Sequence, residues 1–152
     1  MKISDYVVEE CVLCEVKARN KWEFFAEIAA CLGKVLALPA EEIKKVLEER
    51  ERLSSTAIGQ EIAIPHSRLA GLERIVIAAG IKKEGLEFEA LDHKPVKLIL
   101  VVLAPENEQA LYLRTLACLA RILKDNEIKR QLIAARNGAE FKKILDGVAY
   151  EG

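Results

Sequence analysis

The feature that most constrains this chain is an unbroken apolar run, Leu98–Ala104, closed by Pro105. It is far shorter than the roughly 20 residues a membrane-spanning helix requires. It suits a central strand covered on both faces, which obliges the chain to supply a helical layer on each side. The flanking sequence has the matching pattern. Short apolar segments at Val12–Val16, Ile62–Ile64 and Ile75–Ile81 read as further strands, and Leu86, Phe88 and Ala90 alternate like a half-exposed edge. Amphipathic stretches lie between and after them. The expectation is one α/β domain over residues 1–152, with its core at about 3–146 and a mixed sheet between helices.

The helices carry their own punctuation. Asn20 is placed to cap a helix, with Glu23 three residues on, and Trp22, Phe25, Ala29, Leu32 and Leu36 follow at helical spacing as core positions. Pro39 suits the first turn of a second helix, with Glu41 and Glu42 at its positive end and Ile43, Val46, Leu47 and Arg50 sharing a face. Past Pro105, a stripe of Leu113, Leu116, Ala117, Ala120 and Leu123 predicts a third helix. A fourth starts at Asp125 or Asn126, and a fifth follows Asn137 and Gly138.

Charge excludes one class of partner. With 23 basic against 24 acidic residues, the net charge of −1 offers no patch to neutralise nucleic-acid phosphates, and 5% aromatic residues leave little for base stacking. The first thirteen residues carry Asp5, Glu9 and Glu10 where a signal peptide needs a cationic start and an apolar run, so a cytoplasmic protein without membrane insertion is expected. Cys11 and Cys14 form a C-x-x-C pair with no second ligand pair. On a strand their side chains point to opposite faces, so buried reduced thiols are expected. No metal or cofactor site is indicated: there is no glycine-rich phosphate loop and no carboxylate cluster of calcium-loop spacing.

The chemistry concentrates between Arg50 and Arg68. His66 directly follows Pro65 at the end of Ile62-Ala-Ile64. Proline fixes its own φ and restricts the residue before it, so the backbone leading into the imidazole is rigid. Arg50, Arg52 and Arg68 flank the segment, and Ser54, Ser55, Thr56 and Ser67 add hydroxyls. Cations and hydroxyl donors around a nucleophilic imidazole make a phosphate-binding constellation.

Arg50-Glu, Ser55-Thr56-x-Ile58-Gly59 and Ile62-Ala-Ile-Pro-His66 together resemble the active-site signature of fructose/mannitol-type enzyme IIA proteins. These act in the bacterial phosphoenolpyruvate-dependent phosphotransferase system and include the nitrogen-regulatory IIA proteins. The likeness continues through Asp92-His-Lys-Pro95-Val96, Ala104-Pro105 and Leu113–Leu123, covering about Ile3 to Leu145. It implies a mostly parallel mixed sheet flanked by helices. It implies that His66 takes a phosphoryl group from the phosphocarrier HPr or its nitrogen-branch relative, then passes it to a IIB partner or signals to a regulated target. Arg50 would balance the phosphoryl charge, and Ser55 or Thr56 could donate hydrogen bonds to the phosphoryl oxygens. A free-standing IIA domain is expected.

The chain departs from the family pattern at three places. Tyr112 stands where many relatives carry a second active-site histidine, and Ala57 and Glu61 replace residues that are usually glycine. Glu61 is expected to point to solvent. His93, in the Asp92-x-x-Pro95 turn, reads as a solvated turn residue. An apolar docking rim around His66 is expected from Ile62, Ile64 and Leu69, although all three also suit the core. The departures leave open a second functional class, a regulatory binding module that keeps the fold but transfers phosphate poorly.

Overall fold

The computed structural model describes residues 2–148. A short 3₁₀ turn, Ile3–Tyr6, leads into β1 (Val7–Leu13). Helices α1 (Lys21–Leu36) and α2 (Ala40–Leu53) follow. Three short strands come next: β2 (Ala57–Gly59), β3 (Ile62–Ala63) and β4 (His66–Arg68). The long strands β5 (Val76–Leu86) and β6 (Val96–Ala104) precede α3 (Gln109–Ile122), α4 (Asn126–Ile133) and α5 (Gly138–Asp146).

The sheet runs β1-β5-β6-β3-β2, with β4 also on β6. Among the described residues three of the five strand pairings are parallel: β1 with β5, and both β3 and β4 with β6. The antiparallel pairs are β5 with β6 and β2 with β3. The apolar run Leu98–Ala104 lies within β6, the strand shared by β5 on one edge and β3 and β4 on the other. Its side chains alternate between two cores. Leu98, Leu100 and Val102 face α3, α4 and α5, whereas Ile99, Val101 and Leu103 face α1 and α2.

Capping follows the sequence closely. The side chains of Asn20, Asp125 and Asn137 each accept a hydrogen bond from the backbone of the helix they start, as short polar side chains do at helix N-termini. Glu23 answers one residue earlier than a capping box would, accepting from the Arg19 backbone N–H.

Several boundaries and faces differ from expectation, among them the end of β5, which runs on to Leu86. The first strand is Val7–Leu13, not Val12–Val16; its register shifts between Val7 and Val12, and that irregularity leaves both Glu9 and Glu10 exposed, which masks the alternation. Phe88 and Ala90 are buried but outside any strand, because the ladder ends at Leu86 and the Phe88 carbonyl turns to Ser55 and Lys21. The third helix is rotated from the expected stripe: Tyr112, Thr115, Cys118, Leu119 and Ile122 are buried, and Leu113 is exposed. Trp22 is not a core residue. It lies at the surface with its edge against Phe25 and the Lys21 and Arg52 cations over its ring.

Cys11 and Cys14 do not meet. Cys11 is buried on the α1 side with its Sγ 2.9 Å from that of Cys31, whereas Cys14 packs against the opposite core, and all four cysteines are free thiols. Burial, and then the neighbouring Cys31, pushes the Cys11 thiol pKa far up, so it stays protonated. No helix among the described residues is long and apolar enough to cross a membrane.

Candidate active site

The strand expected at Ile62–Ile64 is Ile62–Ala63, and a further strand, His66–Arg68, follows Pro65. With no N–H of its own, Pro65 interrupts the edge of β6 between β3 and β4, yet its carbonyl still accepts from Val102 N–H at 2.9 Å. The ladder resumes at once, with His66 opposite Val102. The histidine therefore begins a strand and does not hang from a loop.

The His66 ring is half-buried, with Nδ1 2.6 Å from the backbone oxygen of Ile64. A carbonyl oxygen only accepts, so Nδ1 carries the proton and the neutral ring keeps its lone pair on Nε2. Burial lowers the His66 pKa below the usual histidine value. The Ile64 hydrogen bond opposes that effect, the Arg50 charge reinforces it and the Glu51 carboxylate opposes it. The imidazole is thus neutral, and nucleophilic, at neutral pH.

Arg50 lies in the last turn of α2, its Nη1 donating to the Ser54 carbonyl at 2.9 Å. Its positive charge acts on both His66 and Tyr112. Tyr112, in the first turn of α3, faces His66 with ring centroids 6.0 Å apart and planes at 59°. Burial pushes its pKa up to about 12, against the opposing charges of Arg50 and Arg68, so the hydroxyl remains a donor. Arg68 is exposed at the end of β4.

The two hydroxyls expected to reach a phosphate are engaged elsewhere. Thr56 is buried, and its Oγ1 donates to Glu51 Oε1 at 2.6 Å. Ser55 Oγ donates to the Phe88 carbonyl at 2.7 Å and accepts from Ala57 N–H at 3.2 Å. Each hydroxyl has one proton, so direct donation to a bound phosphoryl group would break an existing bond. Sequence reasoning passed over the acceptor in this arrangement, Glu51. The available signal was its spacing: it continues the buried stripe Ile43, Leu47 at steps of four, and a carboxylate on such a stripe calls for partners inside.

Glu61 does not simply point to solvent. It is partly buried between Lys97 Nζ at 3.0 Å and Lys129 Nζ at 3.8 Å, which offset its charge. Its φ of 71° explains why glycine suits this turn. His93 is an exposed turn residue, also with positive φ. The expected rim residues Ile62, Ile64 and Leu69 are core, whereas Ile58 and Leu113 are half-exposed.

Comparison with known proteins agrees with this fold. A nitrogen regulatory protein of Bradyrhizobium diazoefficiens is 34% identical over 145 residues, spanning 95% of both chains. The crystal structure of nitrogen regulatory protein IIA-Ntr from Neisseria meningitidis superposes with a TM-score of 0.87 at 31% identity, covering 94% of this chain and 98% of that one. IIA mannitol from Escherichia coli shares the fold, with a TM-score of 0.73 at 21% identity over 90% of this chain and 96% of its own. The family model described as "Phosphoenolpyruvate-dependent sugar phosphotransferase system, EIIA 2" matches residues 5–148, and the chain belongs to that family.

Proposed function

We propose that His66 is the phosphoryl acceptor of a cytoplasmic phosphocarrier, loaded by HPr or its nitrogen-branch relative and discharged to a IIB partner or read by a regulated target. The observation that carries this reading is the Nδ1 hydrogen bond to Ile64, which leaves Nε2 as the free nucleophile within the field of the Arg50 charge. In the transfer, the bond from phosphorus to the donor's imidazole nitrogen breaks as one to Nε2 forms. The Nδ1 proton stays on Nδ1, hydrogen-bonded to the Ile64 carbonyl.

Phosphoryl transfer depends chiefly on positioning and on offsetting charge spread over the equatorial oxygens. Arg50 supplies the fixed positive charge. Tyr112 supplies a neutral donor in place of a second histidine, so charge neutralisation rests on Arg50 more heavily than where two histidines are present. Ser55 and Thr56 serve by holding the segment in place through their bonds to Phe88 and Glu51.

Incubation with phosphoenolpyruvate, enzyme I and each phosphocarrier, followed by intact-mass measurement, tests the proposal. One acid-labile phosphate that disappears in His66→Ala is the expected result, and the preferred donor separates sugar uptake from nitrogen-type regulation. Tyr112 favours one alternative, a regulatory module that transfers poorly. Target binding indifferent to His66→Ala, with no phosphate on the wild type, would establish it.

A further inference from the structure

One side chain next to the site has the burial and partners of a functional group without touching the reacting atoms. Glu51, in the last turn of α2, has a fully buried side chain. Its Oε1 accepts from Thr56 Oγ1 at 2.6 Å, and its Oε2 accepts from Thr56 N–H at 2.9 Å and Lys21 Nζ at 3.1 Å. Lys21, the first residue of α1, is itself buried and also reaches the Phe88 carbonyl at 3.4 Å and Glu89 at 3.2 Å. Both protons that Thr56 can donate therefore go to one carboxylate, which an ammonium group also holds.

We propose that Glu51 is a positioning residue for His66, acting through Thr56 and Ile64. The connection is continuous. The Thr56 carbonyl accepts from Ile64 N–H at 3.0 Å, and the Ile64 carbonyl accepts from His66 Nδ1 at 2.6 Å. Pro65, between Ile64 and His66, restricts the Ile64 backbone to the extended region, so the direction of the Ile64 carbonyl follows from the bond its N–H makes to Thr56. Fixing Thr56 at both its donors fixes the direction of its carbonyl, hence the Ile64 N–H, hence, through the restricted Ile64 backbone, the Ile64 carbonyl that selects which imidazole nitrogen is protonated. Arg50 is the residue immediately before Glu51, so the same helical turn aims the guanidinium and anchors the histidine. This inference rests on His66 being the phosphoryl acceptor.

The test combines two measurements on the whole chain. Nitrogen-15 spectra of the His66 ring, recorded above its pKa, report the tautomer without any transfer reaction. Rapid-quench mixing with the phosphorylated carrier reports the rate of acceptance. Glu51→Gln places an amide N–H₂ among donors and is expected to reduce the Nδ1–H tautomer and slow acceptance by about tenfold or more, as misaligned reacting groups do. Thr56→Ser, which keeps both donors, is expected to retain the Nδ1–H tautomer. If Glu51→Gln does not fold, Lys21→Met/Glu51→Leu, which leaves no unpaired interior charge, carries the same reading. A folded variant lacking the Glu51 carboxylate but with the wild-type tautomer overturns the proposal, whatever its rate. A tautomer shift in a protein whose wild type takes up no phosphate supports the relay and overturns only the acceptor assignment.

Discussion

Tyr112 faces His66 across the site with ring centroids 6.0 Å apart, and its hydroxyl keeps its proton because burial pushes its pKa up to about 12. The hydroxyl is a neutral donor where a second imidazole could share charge. Losing a neutral hydrogen bond costs about 1 kcal/mol, so Tyr112→Phe is expected to slow phosphoryl acceptance about fivefold in single-turnover assays. Tyr112→His is expected to accelerate it. An unchanged rate in both variants would remove Tyr112 from the mechanism.

The His66 pKa is lowered, first by burial and further by the Arg50 charge. The folded protein therefore holds this proton less tightly than the unfolded chain. Its contribution to stability is complete above the unfolded value of about 6.5 and is lost as the pH falls through the folded pKa. An NMR titration of the His66 ring is expected to give a midpoint below 6.5. Phosphoryl acceptance should persist at about pH 6, where half or more of ordinary histidines are protonated. A midpoint above the ordinary value would contradict the burial argument.

Lys21 and Glu51 are a buried ion pair, so removing one partner leaves a charge in the interior. Lys21→Met is expected to cost about 3–5 kcal/mol in denaturant unfolding. Combining it with Glu51→Leu should recover part of that loss, because no unpaired charge remains. Additive losses would show that the two side chains act independently.

Gly138 opens α5 against the backbone of β1. A Cβ there would lie 2.1 Å from the Glu9 carbonyl oxygen, which cannot move aside as a side chain could. Gly138→Ala is expected to lower stability by at least about 1–3 kcal/mol, the usual range for overpacking. Gly147→Ala is the control. Its nearest contacts would be ordinary ones at 3.6 Å, and its φ of −78° suits any residue, so its melting temperature should match wild type.

The layering was legible because it follows from composition patterns of long reach. The Leu98–Ala104 run identified the doubly covered strand, and Asn20, Asp125 and Asn137 marked three helix starts through a local hydrogen bond that needs no tertiary context. Faces were harder. Helix α3 is apolar on more than one side, so Leu113 and Tyr112 compete on equal terms in the sequence, and packing on β6 decides for Tyr112. At the site, the Pro65-His66 pair and Arg50 stood out as residue types. The link from Lys21 through Glu51 to Thr56 joins positions thirty and five residues apart, and no local pattern encodes such a contact.

His66 begins a strand paired with β6, so its backbone is a fixed port and not a swinging arm. With His66 as the phosphoryl acceptor, Nε2 is the one ring nitrogen left to react, and a donor and a receiver cannot both occupy it. The exchange must then proceed by double displacement, with each visiting protein leaving before the next arrives. Two successive in-line substitutions at phosphorus invert its configuration twice. A chirally labelled phosphoryl group would therefore leave this domain with the handedness it had on entry.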